Sequence, residues 1–178
     1  MSLLMRFRLL EARFLPIFDV SGIMEESVGL SEKIVESAIE IFSTMVMMEI
    51  SENGTPLTET IPLTDTISGV IGMAGTHKGV LAIHLPHNVA MAITGSFLGM
   101  DVDSINEDVE DAVGELANML GGNVKTILSE KGRDIDLSLP TTISGRQYDF
   151  QPTKEVERIV IPFSCDVGEF LIEMQLEK

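Results

Sequence analysis

The sequence predicts an α+β fold: a duplicated α/β unit whose long antiparallel sheet is covered by helices on one face. Three observations predict it. Apolar residues recur at helical spacing in separate stretches, and between them stand short strand-like segments joined by turn residues. Two of the helical stretches repeat each other. VESAIEIFSTM at 35–45 and VEDAVGELANM at 109–119 share Val, Glu, Ala and Met in register at an offset of 74. The segments that follow also echo, Gly79-Val-Leu-Ala-Ile-His-Leu against Gly168-Glu-Phe-Leu-Ile-Glu-Met, at an offset of 89.

The elements follow in order. Leu3, Phe7, Leu10, Phe14 and Ile17 recur at spacings of 4, 3, 4 and 3, an amphipathic helical stripe. Arg6, Arg8 and Arg13 interrupt its apolar runs, which argues against a secretory signal. Residues 1–24 read as an N-terminal extension with three explanations: a helix docked on the body or on a second subunit, an appended leader, or translation from an upstream start. Met24 offers an alternative beginning. Residues 25–178 read as one domain, with repeats at about 31–100 and 105–178. A helix is predicted over 31–46. Strands at 47–52 and 57–63 would form a hairpin around Asn53-Gly54, a tight-turn dipeptide. Strands at 66–74 and 79–85 would form a second hairpin around Gly75-Thr76-His77-Lys78, and a short helix at 87–99 follows Pro86. Ser104-x-x-Glu107 has the spacing of a capping box for a long helix over 105–131. A strand at 134–143 leads into the turn-rich stretch 144–155, which absorbs the longer connection of the second half. A hairpin of 156–164 with 168–177 ends the chain.

Composition narrows the function. The chain has 178 residues, with 12 Lys plus Arg against 28 Asp plus Glu, a formal net charge of −16. That balance argues against nucleic acid and anionic membrane surfaces, which draw on clustered positive charge. No window approaches the length of uncharged apolar residues needed for membrane insertion. A single cysteine, Cys165, excludes a disulfide framework within the chain and any multi-cysteine zinc site.

The helix over 105–131 carries an unusual face. With Val109 at zero and about 100° per residue, Val109, Ala112, Val113, Leu116, Met119, Leu120, Val124 and Ile127 fall in one apolar arc. Asp111, Glu115, Asn118 and Gly122 cluster on the opposite side, at about 180–240°. Gly114, Gly121 and Gly122 lie toward that side. An exposed helical glycine costs about 1 kcal/mol relative to alanine, so three of them imply a close approach to this helix. A solvated face with a fraying glycine end is the alternative.

Asp111-Ala-Val-Gly-Glu115-Leu-Ala-Asn118-Met-Leu-Gly-Gly-Asn-Val-Lys, followed after 21 further residues from Asn118 by Pro140, resembles the CheC–CheX–FliY family of chemotaxis phosphatases. The resemblance spans roughly residues 25–178 and includes the Lys78-Gly79-Val80-Leu81 turn into a strand. It implies a protein aspartyl-phosphate phosphatase acting on a phosphorylated CheY-type response regulator in two-component signalling. Glu115 is then expected to bind a lysine in the regulator's active site, and Asn118 to orient the attacking water. Asp111 and Gly122 would contact the partner. The chain would use no cofactor of its own, Mg²⁺ being expected in the partner regulator. At the offset of 74, Ile41 and Thr44 stand where Glu115 and Asn118 stand, and neither can take the assigned role. One intact and one degenerate site resembles the CheX members. That resemblance implies a cytoplasmic homodimer. Replacing Ile41 or Thr44 by alanine is then expected to leave activity within about twofold and to cost about 1 kcal/mol, near the usual centre for point mutants. The alternative function is a non-catalytic binding module for a response regulator or a motor or signalling component.

Other motifs have simpler accounts. His84-x-x-His87 straddles Pro86 without further metal-ligand spacing and reads as a capped or exposed pair. Gly69, Gly72, Gly75 and Gly79 match no phosphate-loop pattern and fit a hairpin. Cys165 reads as inert core, and Met45, Met47 and Met48 as filling core or dimer contacts.

Overall fold

The computed structural model describes residues 20–59, 61–129, 134–152 and 154–178. The apolar stripe at 3–17 lies outside the described residues. The chain runs α1 (Val20–Ile41) into a π-helical turn (Phe42–Val46), then β1 (Ser51–Glu52), β2 (Leu63–Gly75), β3 (Gly79–Pro86) and α2 (His87–Leu98). The second half runs α3 (Glu107–Leu128), β4 (Ile135–Leu137), β5 (Thr141–Tyr148), β6 (Val156–Cys165) and β7 (Gly168–Glu177). α1 passes through Met24 without a break.

All seven strands among the described residues join one antiparallel sheet in the order β1-β6-β7-β3-β2, with β4 and β5 sharing the outer edge of β2. The halves interlock. β1 of the first half pairs with β6 of the second, and β5 of the second pairs with β2 of the first. Ile83 opposes Ile172 at the centre of the β3–β7 ladder. These two residues are equivalents at the offset of 89, so the local two-fold relation between the halves passes through this pair.

Strand alternation sorts the sheet into two faces. One presents Ile67, Ile71, Leu81, Ile83, Ile172 and Met174, all buried, in one core with apolar residues of all three helices. Phe170 stacks between Phe42 and Phe163, at ring-centroid distances of 5.3 and 5.4 Å. The opposite face carries a buried polar chain. Ser68 Oγ lies 2.6 Å from His84 Nδ1, and His84 Nε2 lies 3.3 Å from Glu173. Arg158 Nε and the Gln175 amide reach the other Glu173 oxygen at 3.2 and 2.5 Å. Tyr148 and Phe150 cover the cluster: the tyrosine hydroxyl lies 2.6 Å from Ser68 Oγ, and the phenyl ring meets the His84 ring edge-on at 5.0 Å. Burial raises the Tyr148 pKa above its ordinary value, the Ser68 hydrogen bond opposing that shift.

Several expectations are corrected. Asn53-Gly54 closes no hairpin. Ser51 and Glu52 pair with β6, the Asn53 amide donates to the Pro162 carbonyl at 2.8 Å, and Leu57 exchanges hydrogen bonds with Val160. The dipeptide bends the chain, with Gly54 at φ 105°, but the β6 edge holds both flanks on the same line. The cap of α3 is Asn106, whose side chain accepts from the Val109 amide at 3.1 Å; Ser104 turns to Asp103 instead. The expected strand 134–143 is two strands, and residues 144–148 of the supposed connection continue the second. As an edge strand β5 buries little, so its polar composition reads as loop. His84 is 1% exposed rather than capped or solvent-facing. Cys165 is half-buried, with its thiol 3.4 Å from the Gly168 carbonyl. Met45 and Met47 are exposed, while Met48 packs against the core.

Candidate functional site

The sequence of α3 sets its orientation. Val109, Ala112, Val113, Leu116, Leu120 and Val124 are buried, which turns Asp111, Glu115 and Asn118 outward as one exposed stripe. Gly122 is half-buried at the end of this stripe, with open space where a Cβ would stand. Glu107, Asp108 and Glu110 in the first turn complement the positive helix end. The side chains of Glu115 and Asn118 make no hydrogen bond to any described residue.

The glycines on this helix have a different use from the one its face implies. A Cβ at Gly121 would stand 2.9 Å from the Ile71 side chain, and one at Gly114 would touch the Pro140 ring at 3.9 Å. What approaches α3 at these two points is its own sheet. Gly69 completes the contact from the strand side: a Cβ there would lie 2.6 Å from the Val113 carbonyl oxygen. At Gly69 and Gly121 only backbone without side chains lets helix and strand come this close, so the stripe is packed directly on its sheet.

Beside it the sheet edge is irregular. Met73 opposes Leu137, and the Ser138 amide donates to the Gly72 carbonyl at 2.9 Å. Pairing resumes with Thr141 opposite Val70. Leu139 and Pro140 therefore both stand against Ile71, a β-bulge between β4 and β5. Proline is tolerated there because the bulge relieves the ladder of an amide donor. The bulge seats Pro140 on Gly114, while Leu139 is 87% exposed.

A cleft of about 560 Å³ opens between the end of α2, α3 and the bulge. Phe97 and Leu98 form one wall, Pro140 and Thr142 another, and Asp108, Glu110, Asp111 and Glu115 supply its charge. Asn118 lies one turn beyond Glu115 along the same stripe, outside the cleft's lining. Sequence periodicity placed Asp111, Glu115, Asn118 and Gly122 together. It missed Leu98 in the cleft wall and the bulge at Leu139–Pro140, although a proline inside a strand-like run is itself a bulge signal.

The first-half counterpart is built differently. Ile41 is 5% exposed and belongs to the core. Thr44 sits in the π-helical turn and donates its hydroxyl to the Glu40 carbonyl at 2.6 Å. Ser37, at the position of Asp111, is buried and hydrogen-bonded to the Asn123 amide of α3 at 2.8 Å. Helix packing has absorbed Ser37 and Ile41, while Thr44 stays exposed with its hydroxyl turned back to its own helix.

Residues 67–164, which hold α3, the bulge and the sheet strands around them, match the family described as chemotaxis phosphatase CheX. A relative in Thermotoga maritima, the CheY-P phosphatase CheX, is 30% identical over 87 residues, covering 48% of this chain and 56% of that protein. The chain thus matches little more than half the length of that curated relative. The structure of chemotaxis protein CheX from Vibrio vulnificus is 30% identical, with a TM-score of 0.74 over 84% of this chain and 99% of that one. CheX in a CheX–CheY complex with beryllofluoride and magnesium from Borrelia burgdorferi shares the fold at 22% identity. Its TM-score is 0.69 over 84% of this chain and 98% of that one. Matched over more than half its length, and in the segment that builds the stripe, this chain belongs to the CheX family of chemotaxis phosphatases.

Proposed function

We propose that this chain hydrolyses the aspartyl phosphate of a CheY-type response regulator. The observation that carries the reading is the pair Glu115 and Asn118: exposed, their side chains without hydrogen-bond partners among the described residues, one turn apart on a helix packed against its sheet. An acyl phosphate is already activated, so catalysis can come from positioning. The Asn118 amide both donates and accepts hydrogen bonds, as needed to hold a water in line with the phosphorus. The Glu115 carboxylate pairs with the regulator's active-site lysine and sets the depth of entry. Asp111 and Gly122 flank this pair as partner contacts. Mg²⁺ belongs to the regulator, and this chain supplies no cofactor.

The working unit is residues 25–178 with two interlocked repeats, only the second carrying a site. The family resemblance further supports a cytoplasmic homodimer, testable by light scattering; β5, paired within the sheet by β2 alone, leaves an edge for association.

The test is the lifetime of phosphorylated regulators from the same organism with substoichiometric protein. Asn118→Ala should lower kcat by about a hundredfold or more while leaving the thermal midpoint unchanged. Binding of a regulator without turnover by the unmodified chain would favour the non-catalytic module.

A further inference from the structure

The bulge beside α3 presents a side chain that the chemistry proposed above does not use. Leu139 is the most exposed large apolar residue among the described ones, at 87%. A lone surface leucine needs no explanation, but this one is held in place. Leu137, two residues before it, reaches the Gly121 position of α3, and Pro140, the residue after it, packs on Gly114. These contacts bracket the turn of α3 that carries Glu115 and Asn118. Across the cleft from Pro140 stands Leu98, 46% exposed, while Leu139 itself stands just outside the cleft's lining. Asp111 and Glu115 lie between these walls, and no lysine or arginine is among the cleft's lining residues. The surface therefore pairs apolar rims with carboxylates, and its complement is a basic side chain flanked by an apolar depression.

We propose that Leu139 is a docking residue for the phosphorylated receiver domain. It enters an apolar depression beside the receiver's phosphorylation site as Glu115 meets the lysine. The inference rests on the function proposed above and adds a determinant of which regulators are accepted. The bulge makes this possible by turning two consecutive residues to separate tasks, Pro140 onto the helix and Leu139 into solvent. An anchor on a rigid sheet edge loses little freedom on binding, so its burial registers as affinity.

The experiment uses the full chain and phosphorylated CheY-type receiver domains from the same organism. Steady-state dephosphorylation is measured with affinity for the same domains carrying beryllofluoride and Mg²⁺. Leu139→Asp should raise both KM and Kd by about tenfold or more. Leu139→Met should restore values near the original, and kcat should stay within about twofold in both variants. The thermal midpoint should not move, because the side chain is exposed. Unchanged KM and Kd in Leu139→Asp would overturn the proposal. So would a change of oligomeric mass in that variant, which would assign Leu139 to contact with a second copy. If the unmodified chain binds receivers without hydrolysing them, the phosphatase reading fails and the affinity arm still decides this one. If it binds none of them, both fail.

Discussion

Gly69→Ala tests whether the closeness of helix and sheet sustains the site. The added methyl would stand 2.6 Å from the Val113 carbonyl oxygen, 3.0 Å from a Val113 side-chain carbon and 3.1 Å from the Ala117 methyl. The nearest of these is helix backbone, which cannot rotate aside as a side-chain end does. Ordinary carbon–oxygen contact lies at roughly 3.3 Å, so α3 must lift from β2 by about half an ångström or more, or the strand must bend. Overpacking of this kind costs about 1–3 kcal/mol. For a chain of this size each kcal/mol lowers the thermal midpoint by about 2–4 °C, so a fall of about 2–12 °C is expected. The same displacement moves Asn118, one position beyond Ala117, relative to the bulge and cleft. A misplacement approaching 1 Å costs about a hundredfold in positional catalysis, so kcat should fall about tenfold to a hundredfold. Differential scanning calorimetry and a phosphate-release assay at a temperature where the variant stays folded read the two effects separately. An unshifted midpoint would refute the packing argument. A lowered midpoint with full kcat would show that Asn118 does not depend on where α3 sits.

Gly122→Ala should act in the opposite direction on stability. Nothing lies within 4 Å of its added methyl, and replacing an interior helical glycine stabilises by about 0.4–1 kcal/mol. A raised midpoint with weaker receiver binding supports Gly122 as a partner contact; a raised midpoint with unchanged Kd removes it from the interface. Ile41→Ala should destabilise by about 2–5 kcal/mol, because Ile41 is 5% exposed within the core. That exceeds the loss its place in the repeat implied. Thr44→Ala, at an exposed residue whose hydroxyl bonds the Glu40 carbonyl one turn back, should stay within about 0.5 kcal/mol. Both should keep kcat within about twofold at a temperature where they remain folded. A larger loss in either would return the first-half helix to the catalytic site.

The sequence by itself determined most of what depends on neighbours along the chain, though it placed the cap of α3 on Ser104 rather than Asn106. The stripe of Asp111, Glu115 and Asn118 was legible because helical periodicity is local and the apolar arc of α3 settles which side faces out. The β2–β3 and β6–β7 hairpins were legible for a similar reason, since each turn joins strands adjacent in sequence. Tertiary structure decided the features that depend on a strand brought from elsewhere. Asn53-Gly54 favours a hairpin locally, but bonds to β6, more than a hundred residues away, keep both flanks of the bend on the same strand edge. Ile41 and Glu115 align in the repeat, yet the turn of α1 buries one and that of α3 exposes the other. His84 and Glu173 meet only because β3 and β7 are central neighbours in the sheet. The bulge at Leu139–Pro140 is a register shift against β2, and register is a property of two strands. Pro140 signals it in the sequence, but its place was fixed only once both strands were paired, and with it the apolar surface beside the α3 stripe.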